Sequence, residues 1–171
     1  PYWTKQAKFA KDNGVKIGFE AHPGFVVYNP ETLMKLRKAC GNQLGANFDP
    51  SHFFWQGIDP VESVRYLGKA IYHVHAKDSK LYEPVSRVHG CLDVKHYGDE
   101  LNRAWIFRTC GYGHGYDWWN DFISTLRMVG YDGPVSIEHE DSLMSNIEGL
   151  TKAAEFLKQV LIFQKPTAMT W

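Results

Sequence analysis

Four side chains in this sequence, Glu20, Asp49, His75 and Glu138, could share one divalent cation. They offer carboxylate oxygen and imidazole nitrogen but no thiolate, a donor set that suits Mn²⁺, Mg²⁺, Co²⁺ or Zn²⁺ rather than a soft metal. Three carboxylates favour the harder ions, so one Mn²⁺ is the expected cofactor. Held beside an α-hydroxy carbonyl compound, such an ion stabilises the enediolate left when a carbon-bound proton departs. A lone glutamate is more often a salt-bridge partner than a ligand, so the case rests on the four being brought together. Their spacings of 29, 26 and 63 residues fit one strand–helix unit, a second, and a third enlarged by an insertion.

The elements that must position them are legible. Each of the four closes a short apolar run: Val15–Glu20, Leu44–Asp49, Ile71–Ala76 and Val135–Glu138. Between the runs lie helical patterns. One covers residues 2–13 and ends at Gly14. Another follows Asn29-Pro30 and stops at Gly41; a third follows Asp59-Pro60 through Leu67. A fourth runs from Tyr116 to Met128, and a fifth from Asn146 to Phe163. Strands alternating with helices imply a parallel sheet with right-handed crossovers, either doubly wound or part of a (β/α) barrel. Polar residues at the C-terminal ends of four strands, with no Gly-rich phosphate loop after the first, select the α/β barrel of TIM type. A whole barrel takes about 250 residues, and four units fit one domain spanning 1–171. Residues 79–115 read as a long loop insertion, rich in His, Arg and aromatics, that acts as a lid or a subunit contact.

Composition narrows the function classes. Nineteen Lys and Arg balance nineteen Asp and Glu, so no net field draws nucleic acid or an anionic membrane. No apolar run approaches the ~20 residues of a membrane span, and no signal-peptide core opens the chain; a cytoplasmic protein is expected. Cys40, Cys91 and Cys110 form no CxxC pair, which suggests neither a disulfide framework nor a thiolate zinc site. Aromatic residues make up 15%, a share that suits a core plus an aromatic-walled pocket.

The runs Phe48-Asp49-Pro50-Ser51-His52, His73-Val74-His75-Ala76-Lys77-Asp78, Gly113-His114-Gly115-Tyr116-Asp117-Trp118 and Gly130-Tyr131-Asp132-Gly133-Pro134-Val135-Ser136-Ile137-Glu138 resemble the xylose-isomerase-like barrel superfamily, and within it the sugar (phosphate) isomerases/epimerases. The resemblance covers almost the whole chain and matches the last four βα units. It implies a metal held by Glu20, Asp49, His75 and Glu138, with Glu20 and Glu138 also moving the substrate proton and His52 binding the sugar. Lys77 has the inward parity of His73 and His75, so it reads as either a sugar contact or half of a solvated pair with Asp78. Arg108 reads as an anion clamp or a surface ion pair, and Glu140 as the alternative ligand if the register shifts. His73 reads as an interior hydrogen-bonded residue.

Two features depart from those epimerases: the long 79–115 segment, and Glu20-Ala21-His22, which puts His22 on the same side of an extended chain as Glu20. The second is similar to metal-dependent lyases that cleave 3-oxo-glycosides, C-glycoside deglycosidases included. There His22 would be the base. Lys77-Asp78-Ser79 is similar to a motif of endonucleases in the superfamily, a class the balanced charge argues against; a non-catalytic binding module is the remaining alternative. A half-barrel exposes two sheet edges, so the missing N-terminal half is expected from chain preceding Pro1, from a second copy in a homo-oligomer, or from a partner.

Overall fold

The computed structural model describes residues 2–92 and 94–167. Along the chain run α1 (Tyr2–Asp12), β1 (Ile17–Glu20), α2 (Pro30–Cys40), β2 (Leu44–Phe48), α3 (Ser51–Phe54), α4 (Pro60–Leu67), β3 (Ile71–Ala76), β4 (Asp78–Leu81), α5 (Glu83–His89), β5 (Trp105–Arg108), α6 (Tyr116–Met128), β6 (Val135–Ile137) and α7 (Asn146–Val160). Four strands form one parallel sheet in the order β1-β2-β3-β6, the curved half of a (β/α) barrel.

Local chemistry starts the helices where the sequence places them. The Asn29 side chain accepts from the Thr32 amide at 2.8 Å while the Thr32 hydroxyl accepts from the Asn29 amide at 3.2 Å, a reciprocal cap with Pro30 at the first turn. Asp59 caps α4 by accepting from the amides of Val61 and Glu62 at 2.8 and 3.2 Å. The helices bury Leu33, Val64, Trp119, Phe122 and Leu157 against Phe48 and Val74 on the outer face of the sheet. Side chains alternate along a strand, so burying Phe48 and Val74 outward turns Asn47, Asp49, His73 and His75 to the barrel interior. Packing of the core thereby orients the site.

Residues 79–115 are not one loop. Strands β4 and β5 pair antiparallel, Asp78 opposite Arg108 and Leu81 opposite Trp105, with α5 in the connection. A satellite core secures this arm: Trp55 and Trp105 stack at 4.6 Å, and Ala104 and Phe107 are buried beside them. Asp78, fully buried, ties the arm to α6. Its Oδ2 accepts from the amides of Gly111, Gly113 and His114 and from Trp119 Nε1 at 2.9–3.3 Å, and its Oδ1 accepts from the Ser79 amide at 2.9 Å and pairs with His114 Nδ1 at 2.7 Å. The loop Gly111–His114 wraps this carboxylate so closely that a Cβ at Gly113 would lie 2.4 Å from Asp78 Oδ1. Lys77 and Asp78 are therefore both buried rather than a solvated pair. The last helix stops at Val160, three residues before Phe163.

α7 meets the end of β6 with no room to spare. A Cβ on Gly149 would sit 2.0 Å from His139 Cε1, and His139 follows directly on Glu138. Alanine gains about 1 kcal/mol in helix propensity at an unconstrained site, but overpacking of this severity costs about 1–3 kcal/mol or more. Gly149→Ala is thus expected to lower the urea midpoint of the full-length protein; an unchanged or raised midpoint would show that the ring yields freely.

Candidate metal centre

Adjacent parallel strands lie about 4.8 Å apart, so inward side chains at neighbouring C-terminal ends must meet. Glu20 ends β1, Asp49 follows β2, His75 lies near the end of β3, and Glu138 follows β6. One ligand atom from each of the four lies within 4.8 Å of the others. His75 Nδ1 is 2.7 Å from Glu138 Oε2, 3.6 Å from Glu20 Oε2 and 3.8 Å from Asp49 Oδ2.

Each ligand group is divided between a support and the centre. Glu20 Oε1 accepts from His52 Nε2 at 2.9 Å, and Asp49 Oδ1 accepts from the Ser51 amide at 2.8 Å. Glu138 Oε1 accepts from Lys77 Nζ at 2.8 Å, and His75 Nε2 meets Asn47 Nδ2 at 3.2 Å. The opposite atoms, Asp49 Oδ2, His75 Nδ1 and Glu138 Oε2, are buried with no hydrogen-bond partner. Even the 2.7 Å approach of His75 Nδ1 to Glu138 Oε2 lacks hydrogen-bond geometry, so both atoms remain unpaired beside the centre. Buried polar atoms left unpaired cost about 1–3 kcal/mol each; three within 4.8 Å of one another, with the Glu20 carboxylate as the fourth group beside them, fit a divalent cation.

The charge state suits that role. The hydrogen bond from His52 holds the Glu20 carboxyl below its ordinary range, against burial and the neighbouring Asp49. Burial works to raise Asp49, but His75, His52 and Lys77 outweigh it and keep this carboxyl low as well. His75 is pushed up by the Asp49 carboxylate first, against burial, with Glu138 and Glu20 adding to the rise. Burial alone would lower Lys77; Asp49, Glu138 and Glu140 hold its ammonium charged.

A cavity of about 450 Å³ opens beside the centre. Glu20, His22, His52, Lys77, Glu138, Glu140 and Ser142 line its polar side, and Tyr97, Ile106 and Phe107 of the arm form the opposite wall. His22 Nδ1 lies 2.8 Å from the Pro23 carbonyl oxygen, to which it donates; in the neutral ring this tautomer leaves the lone pair on Nε2. The His22 ring stands 4.4 Å from that of His52. Lys77 is 2% exposed, pairs with Glu138 at 2.8 Å and Glu140 at 2.5 Å, and lies 4.2 Å over the Phe107 ring.

Of the side chains singled out in the sequence, Glu20, Asp49, His75 and Glu138 converge, and His22, His52 and Lys77 stand around them. Arg108 is held elsewhere: its Nε pairs with Asp141 Oδ2 at 3.4 Å, and it is absent from the cavity wall among the described residues. Glu140 pairs with Lys77 rather than joining the centre, and His73 bonds Ser136 at 2.5 Å inside the barrel. Sequence reasoning passed over Asn47, although it shares the inward parity of Asp49, and Tyr97, which carries no local signal for facing a site twenty residues of chain away.

A family model described as xylose isomerase-like TIM barrel matches residues 2–160. The chain is 46% identical over 162 residues to YfiH of Bacillus subtilis (strain 168), an uncharacterised protein, covering 94% of this chain and 52% of that one. It is 29% identical to an inosose dehydratase of Clostridium botulinum (strain Alaska E43 / Type E3), covering 91% and 51%. Among solved structures, a xylose isomerase domain protein from Planctomyces limnophilus superposes with a TM-score of 0.66 at 22% identity, covering 92% of this chain and 50% of that one. The IOLI protein, solved with zinc, gives 0.63 at 23% identity, covering 92% and 53%. The chain spans about half the length of the relatives it matches. Among the described residues no helix is long and apolar enough to cross a membrane.

Proposed function

Because the chain belongs to the xylose isomerase-like TIM-barrel family, we propose that the protein carrying it is a divalent-metal-dependent enzyme that removes a proton next to the carbonyl of a polyhydroxylated substrate and then expels the oxygen substituent β to that carbonyl. The observation that carries this reading is His22: it lines the cavity, and its Nδ1 donation to Pro23 leaves Nε2 basic and unencumbered. Each glutamate, by contrast, has one oxygen engaged by His52 or Lys77 and the other turned to the centre.

A cation bound by Glu20, Asp49, His75 and Glu138 supplies Lewis-acid stabilisation of negative charge on the substrate oxygens; on the count of three carboxylates we assign it as Mn²⁺, within the Mn²⁺, Mg²⁺, Co²⁺ and Zn²⁺ class. His22 Nε2 takes the carbon-bound proton. As the electron pair moves into the new carbon–carbon double bond, the β carbon–oxygen bond breaks, and the leaving oxygen takes a proton from the His22 imidazolium, departing as water or as an alcohol. His52 keeps Glu20 fixed throughout, Lys77 does the same for Glu138, and the wall of Tyr97 and Phe107 shields this side of the cavity from water. The inosose dehydratase among the relatives is consistent with elimination. The substrate is a small neutral keto sugar or keto-cyclitol, and four further strands from the same polypeptide are inferred to close the barrel across the edges of β1 and β6.

Isomerisation or epimerisation is the second reading, favoured by Glu20 and Glu138 lining the cavity from opposite edges of the sheet. It shares the first step and returns the proton to carbon. The two separate when the Mn²⁺-loaded full-length protein is incubated in D₂O with open-chain ketoses, keto-cyclitols and 3-oxo-glucosides. Elimination is expected to give an ultraviolet-absorbing unsaturated carbonyl product from one of them. A deuterated ketose without that chromophore would establish isomerisation instead, and no exchange from any substrate would overturn both readings.

A further inference from the structure

Asn47 lies on β2 two residues before Asp49, and its carboxamide is wedged between two of the four ligand groups. Nδ2 is 3.2 Å from His75 Nε2 and 3.4 Å from Glu20 Oε2, while Oδ1 is buried with no partner. For His75 Nδ1 to face a cation with its lone pair, the proton of the neutral ring must sit on Nε2. An N–H there needs an acceptor, yet the group facing it is itself a donor. A half-turn of the carboxamide exchanges oxygen for nitrogen in nearly the same volume, and no hydrogen bond to Oδ1 holds the present orientation. Among the described residues, no other side chain hydrogen-bonds His75 Nε2.

We propose that Asn47 is a positioning residue of the metal centre whose carboxamide turns over on loading: Nδ2 donates to Glu20 when the cation is away, and Oδ1 accepts from His75 Nε2–H when it is bound. Glu20 makes the two states alternatives. With its Oε2 uncompensated, that oxygen attracts the Asn47 N–H and repels the amide oxygen; with its charge taken up by a cation, the repulsion fades and His75 decides the orientation. The same side chain thus fixes which imidazole nitrogen is a ligand and relieves the metal-free site of part of its carboxylate repulsion. Outer partners of this kind set ring orientation and ligand basicity.

The inference rests on the metal reading above, and the test separates them. Zinc, which is diamagnetic, is titrated calorimetrically into full-length wild-type protein and the variants Asn47→Leu and Asn47→Asp, and the His75 side-chain protons are followed by NMR with ¹⁵N-histidine label. Leucine offers no acceptor and is expected to lower zinc affinity about 10- to 100-fold, with the His75 Hε2 proton exchanging rapidly with water. Aspartate can only accept, so it is expected to retain or exceed wild-type affinity with a slowly exchanging Hε2. A generally loosened fold would weaken both variants alike, and that outcome overturns the proposal. So does wild-type affinity in Asn47→Leu. If Asn47→Leu does not fold, loss of affinity in Asn47→Asp, or rapid Hε2 exchange in the zinc-loaded wild type, overturns it. Failure of the wild type to bind zinc, manganese, cobalt or magnesium removes the metal reading itself and the inference with it.

Discussion

Glu138→Gln is expected to abolish turnover and to weaken divalent-cation binding by more than the 10- to 100-fold typical of outer-partner changes. The substitution keeps the shape of the side chain. Its amide oxygen still accepts from Lys77, which holds Glu138 Oε1 at 2.8 Å, and this forces the amide nitrogen to replace Oε2 at the centre. There it presents N–H groups, with no lone pair, beside His75 Nδ1 at a position now 2.7 Å from a carboxylate oxygen. One of three negative charges is lost, and a donor takes the place of an acceptor. Metal content after dialysis and turnover on the responsive substrate measure the two effects. Wild-type activity in this variant would remove Glu138 from both binding and catalysis.

His22→Ala is expected to separate binding from chemistry. His22 touches neither Asp49 nor His75 among its hydrogen bonds, and its ring is anchored through Pro23, so metal content should stay at the wild-type level. Removing a positioned general base costs about 10²- to 10⁴-fold in rate, and that loss should fall on kcat rather than on cation affinity. Full activity in His22→Ala would favour the glutamates as proton carriers and with them the isomerase reading. The two variants form a pair: one loses the ion and the activity together, the other keeps the ion and loses the chemistry.

What the sequence discloses about this site follows from strand periodicity. Glu20, Asp49, His75 and Glu138 each close an apolar run, and in a parallel barrel such positions share one rim; composition, spacing and the order of elements therefore suffice to bring them together. The helix starts at Asn29-Pro30 and Asp59-Pro60 are legible for a similarly local reason, since each cap is completed within three residues. The arm was hidden because its pairing is not local. β4 and β5 are joined by 23 residues rather than a tight turn, so no hairpin signature marks them, and Trp105 finds its stacking partner in Trp55, fifty residues earlier. Asp78 was hidden by its neighbour: beside Lys77 it reads as half of an ion pair, whereas backbone amides from 111–114 supply its partners. The supports of the centre were also beyond periodicity. Parity can say that Lys77 and Asn47 face inward, but not that one holds Glu138 and the other meets His75. Arg108 shows the same limit, because Asp141, the residue that holds it, is brought there only by folding.

The binding of one cation where four side chains from separate strands converge is the proposal on which the chemistry depends. It is tested most directly by anomalous scattering from crystals of the full-length protein soaked in Mn²⁺, with data collected on both sides of the manganese absorption edge. A single strong peak is expected about 2.0–2.3 Å from Glu20 Oε2, Asp49 Oδ2, His75 Nδ1 and Glu138 Oε2. A map with no peak between these atoms, or with manganese bound only at other carboxylates, would contradict it.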